Sequence, residues 1–146
     1  MCLTATMPNP LAQTAGRIVA HEAAQSATSA AVAAGAAVAC ERISRRLAPL
    51  IGDAGAHSLF ARSLALTRAD FPWLAAVTVT VPNASWSLLR TCIAQQPAET
   101  ANEASVSLLA TFLGLLEKFI GRGLTARLLR DAWPGVDLGR PSGETT

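Results

Sequence analysis

The chain is short of the residues that catalysis and metal binding draw on. Its 146 residues hold two histidines, His21 and His57, and three cysteines, Cys2, Cys40 and Cys92. No HxxxH, HExxH or CxxC spacing joins them, and no carboxylate cluster flanks either histidine, so a metal site is not expected. No serine sits in a GxSxG setting, and no thiol has the local signature of a nucleophile. An odd number of cysteines without framework spacing reads as free thiols of a reducing compartment. Neither a catalytic residue nor a cofactor is expected, and the chain reads as a non-enzyme.

Charge is scarce as well. A formal balance of +2 is too small to require nucleic acid or an anionic membrane as partner. Eleven of the twelve basic residues are arginine, a preference associated with GC-rich bacterial genomes. Long membrane-grade runs are lacking too. Ala23 to Cys40 carries no charge, but alanine, serine and glutamine hold poorly in a bilayer. Val106 to Ile120 is apolar enough, yet it falls short of the roughly 20 residues a span needs. The N-terminus shows no basic segment followed by an apolar stretch and a cleavage site, so the expected location is cytoplasmic.

What the sequence does have is helix. Alanine inflates the 51% apolar fraction and favours helix rather than strong burial. From Thr100 to Trp133 two stripes run side by side. Val106, Leu109, Leu113, Leu116 and Ile120 form one; Leu108, Phe112, Leu115 and Phe119 form the other. A helix so apolar around its girth must be covered on most sides and is the expected core element. Thr100 and Glu103 have capping-box spacing ahead of it. Gly121 is expected to end it in the left-handed conformation, Leu124 to restart it, and Pro134 to stop it.

The window around Ile51-Gly52 matches the one around Ile120-Gly121 without a gap. Leu47 aligns with Leu116, Ile51 with Ile120, Gly52 with Gly121 and Leu59 with Leu128. Similar pairs join them: Ile43 with Phe112, Leu50 with Phe119, Phe60 with Leu129, Leu64 with Trp133. The expected fold is a mainly α bundle of two helix–glycine–helix hairpins in a pseudo-twofold repeat. One short strand is expected at 76–81, where Val77, Val79 and Val81 alternate with threonines. Ile18 to Ala48 reads as one long alanine-rich helix, bent or cut at Pro49. The domain spans 18–134, between a disordered N-terminal tail over 1–17 and a C-terminal tail over 135–146.

Three groups of residues stand out as candidate sites. Ala110 and Gly114, with Ala30, Ala33 and Ala37, offer small faces for close helix contact, within the chain or with another copy. Trp73, Trp86 and Trp133 are the candidates for lining an apolar pocket, against the plainer role of core anchors. Arg122, Arg127 and Arg130 give the short last helix the outline of a DNA-reading helix, interrupted by Asp131. Arg42, Arg45 and Arg46 read as a solvated face. The expectation is a helical interaction or regulatory module, pairing with itself or another protein. A sensor of a small apolar ligand and a DNA reader are the alternatives; nucleic acid and membrane are the less expected partners.

Overall fold

A computed structural model describes residues 10–24, 26, 28–77 and 82–136. The described residues are mainly helical, with no strand among them. Five α-helices follow in order: α1 Pro10–Glu22, α2 Ser29–Thr67, α3 Pro82–Ala94, α4 Ala98–Ile120 and α5 Arg122–Ala132. A 3₁₀ turn, Pro72–Ala76, stands between α2 and α3.

α4 is covered along one side. Leu108, Leu109, Phe112, Leu113 and Leu116 have almost no exposure, because α1, α2, α3 and α5 all pack on it. Its start differs from the capping-box expectation. The helix begins at Ala98 behind Pro97, so Thr100 and Glu103 already lie inside it. Phe119 departs from the expected stripe and points outward.

The ordered fold begins earlier than expected. α1 starts at Pro10, inside the tail expected over 1–17, and buries Ala15, Ile18 and Val19 at helical spacing. The single helix expected over Ile18–Ala48 is two. α1 stops at Glu22, Ala24 takes a left-handed φ of 56°, and α2 begins at Ser29 with Thr28 as N-cap. The Thr28 hydroxyl accepts from the Ala31 N–H at 3.2 Å, the ordinary role of threonine there.

Gly35 explains how the two helices meet. A Cβ at Gly35 would lie 3.0 Å from the backbone nitrogen of Ala23 and 3.2 Å from the Val19 carbonyl oxygen. Only glycine lets α1 seat that closely on α2.

α2 does not break at Pro49. The helix carries Pro49 and turns at Gly52, whose φ and ψ are 86° and 159°. Gly121, between α4 and α5, has φ 92° and ψ 159°. Both sit in an extended positive-φ region open almost only to glycine, not in the left-handed helical region expected of a helix cap. The two breaks thus share one backbone geometry. In the register that lays Gly52 on Gly121, buried positions coincide as well. Val32 corresponds to Ala101, Cys40 to Leu109, Ile43 to Phe112 and Leu47 to Leu116. Beyond the breaks, Phe60 corresponds to Leu129 and Leu64 to Trp133, all buried.

The strand expected at 76–81 falls largely on residues 78–81, which lie outside the described residues. Of the rest, Ala76 ends the 3₁₀ turn and only Val77 is extended, with φ −84° and ψ 118°. Pro72 at the start of that turn supplies the fixed φ that favours it over a strand.

Candidate functional site

The three tryptophans do not share a pocket. Trp86 of α3 lies against Phe60 of α2 with ring centroids 4.7 Å apart, and Phe60 meets Phe112 of α4 edge-on at 5.7 Å. This aromatic knot sits where α2, α3 and α4 converge. Trp73 instead makes its ring contact with Phe71, at 6.1 Å. Trp133 stands at the end of α5 in a third place, bonded to α1 and α2.

Trp133 anchors a polar clasp that the sequence did not announce. Its indole N–H donates to the Glu22 carboxylate at 2.5 Å. The Arg42 guanidinium lies 5.5 Å above the indole ring and donates to the Ala132 carbonyl at 3.0 Å. Arg42 also approaches Glu22 at 3.7 Å. Arg42 is exposed, as expected of a solvated face, and its charge also serves the C-terminal end of α5 from another helix. The clasp ties the ends of α1 and α5 to the middle of α2. No local pattern marks it, since its members are far apart in sequence.

The small-residue positions are largely taken up inside the chain. Ala33 and Ala37 are buried, Ala110 is half-buried, and Ala30 is exposed. Gly114 faces Leu11 of α1, and a Cβ there would meet the Leu11 side chain at an ordinary 3.6 Å. The tight approach expected at Gly114 occurs at Gly35 instead. Arg122, Arg127 and Arg130 line the exposed side of α5, while Thr125, Leu128, Leu129 and Ala132 face inward. The Thr125 hydroxyl is satisfied by the Gly121 carbonyl at 2.8 Å.

Neither described thiol has the setting of a nucleophile. Cys40 is buried in α2, and burial pushes its pKa up to about 12. Cys92 of α3 is partly buried and shifted upward by the same cause. A raised thiol stays protonated at neutral pH and reacts slowly. Among the described residues no three or more His, Cys, Asp or Glu side chains group as a metal site would need. Nor is any helix among them long and apolar enough to cross a membrane.

One cavity, of about 340 Å³, opens where the α1–α2 connection meets the start of α4. Val19, Ala20, Ala23 and Val32 form its apolar wall, with Ser26, Glu99 and Asn102 at its edge. None of the tryptophans reaches it. Several large apolar side chains are also left exposed: Phe119 is 60% exposed, Leu50 50%, Leu66 49%, Leu124 41%, Val38 40% and Leu88 38%. Leu50, Phe119 and Leu124 flank the glycine breaks. Comparison of the chain with protein-family models, curated proteins and solved structures gives no match.

Proposed function

We propose that this chain is a non-enzymatic helical interaction module that pairs with itself, built from two related halves. Each half comprises a short helix, a long stem, a glycine break and a returning arm. α1, the stem 29–51 and the arm 53–67 form the first; α3, α4 and α5 form the second.

Distances support the return of the first arm. A straight helix from Ser29 to Phe60 would be about 46 Å long at roughly 1.5 Å per residue. Yet the Ser29 hydroxyl donates to the Gln96 carbonyl at 2.6 Å while Phe60 touches Trp86. The chain between Trp86 and Gln96 spans only about 20 Å. A straight helix is excluded, and a sharp turn of about a right angle or more after Gly52 brings Phe60 that close.

The same contacts support parallel stems. Ser29 lies beside Gln96 at the start of both stems, and Val32 shares a cavity wall with Ala98 and Asn102. Farther along, the first arm meets the second stem at Phe60–Phe112. The second arm meets the first stem at Ala132–Arg42. Each arm therefore packs on the other half's stem at a similar distance from its own break. On this reading Gly52 and Gly121 stand at one end of the molecule.

One observation carries the function: the fold closes its core yet leaves Leu50 and Phe119, corresponding residues, outside at that end. Bulky apolar residues gathered on a surface mark contact sites more often than isolated ones do. Sedimentation equilibrium of the purified chain tests the pairing. A mass of twice 15.1 kDa is expected, and a monomer at about 100 μM, which sets the dissociation constant above roughly that concentration, would end it.

A second reading, binding of a small apolar ligand, is supported by the cavity beside Val19 and Val32 rather than by the tryptophans. Its size suits a small molecule. Native mass spectrometry would show the ligand retained, and Val32→Trp should expel it; ligand retention unaffected by that substitution would exclude this cavity.

A further inference from the structure

The apolar residues at the two breaks occupy corresponding positions, but their surroundings are opposite in character. Pro49 and Leu50 precede the first break, Lys118 and Phe119 the second. Directly after the breaks stand Asp53 in the first half and Arg122 in the second, both exposed. Two residues on, Gly55 in the first half corresponds to an exposed Leu124 in the second. At the equivalent positions after the breaks, the first half carries an acid and a glycine where the second carries a base and a leucine.

We propose that this end is a self-complementary surface for a second copy of the chain, each half lying on the opposite half of the other copy. Asp53 of each copy then faces Arg122 of the other. Leu50 meets Phe119, and Leu124 lies over the space left at Gly55. A twofold axis makes every such contact twice, so one chain supplies both members of each pair. The uncrossed arrangement would set Arg122 against Arg122 and Asp53 against Asp53, and like charges across an interface reject it. Charge of both signs at equivalent positions is what favours a copy over an unrelated acidic or basic partner. The inference rests on the self-pairing proposed above and on the shared end of the two breaks.

Sedimentation equilibrium on the full chain and three variants tests it. Asp53→Arg and Arg122→Asp should each weaken the dimer by about tenfold or more, and the double reversal should restore most of that loss. Both positions are exposed, so folding is retained, and circular dichroism of each variant checks this. Phe119→Ser provides a second, uncharged variant and should also raise the monomer fraction. A dimer indifferent to the single reversals and to Phe119→Ser overturns this surface while leaving self-pairing intact. A double reversal no better than either single variant overturns the crossed arrangement. A monomeric wild-type chain overturns both the surface and the pairing.

Discussion

At the residue scale, two mid-helix glycines that look alike in sequence have opposite uses. Gly35 holds α2 against the backbone of α1, while Gly114 leaves ordinary space that Leu11 already borders. Gly35→Ala pushes a methyl onto backbone atoms that cannot swing aside, and a loss of about 1–3 kcal/mol in denaturant melts is expected. Gly114→Ala should instead stabilise by about 0.5–1 kcal/mol, the cost of glycine inside a helix. Cys40 gives a pH dependence with a definite sign. Its pKa is about 12 when folded against 9.0 for an unburied thiol, so the unfolded chain loses this proton first. Stability is unaffected below pH 9 and falls as pH rises toward 12, by up to about 1.4 kcal/mol per pH unit. Urea melts between pH 8 and 10.5 should show that slope in the wild type, and Cys40→Ala should remove its share.

At the element scale, Gly52 interrupts α2 and Gly121 separates α4 from α5 with the same backbone geometry. Nothing lies within 4 Å of a Cβ built at Gly52 or Gly121, so substitution there strains the backbone without a steric clash. Gly52→Ala and Gly121→Ala should each cost about 1–3 kcal/mol in chemical denaturation. Gly123→Ala, in open space one step into α5 with ordinary φ, should cost nothing. Equal losses at Gly121 and Gly123 would show that the conformation of the break is unimportant. These stops were legible in the sequence, because glycine after an apolar run is a strong signal. The stop between α1 and α2 was not. Alanine on both sides hides the period, and an alanine rather than a glycine takes the positive φ at residue 24. Only Thr28 ahead of Ser29 marked the new helix. The start of α4 was misplaced for the opposite reason: Thr100 and Glu103 form a good local pattern that Pro97 pre-empts.

At the scale of the whole molecule, the helical class followed from periodicity alone, while the long α2, which packs on every other element, was not marked as central. What did not follow were the meetings between distant residues. Trp133 reaches Glu22 and Arg42, and Phe60 joins Trp86 and Phe112, across separations that leave no trace in a local window. The tryptophans looked like one group because they are rare, yet they serve three separate contacts. Phe119 looked like core because it continues a helical stripe, but beside the break at Gly121 it is left exposed.

The proposed pairing requires two parallel stems whose breaks share one end. Spin labels at Leu50→Cys and Phe119→Cys, in a chain with Cys2, Cys40 and Cys92 replaced by alanine, measure this directly by electron–electron distance. Dilution with unlabelled protein removes contributions between copies. Side-by-side parallel stems predict a separation of about 15–25 Å, given helix axes roughly 10 Å apart. Stems running in opposite directions would put the labels more than about 35 Å apart, the length of a stem, and would contradict it.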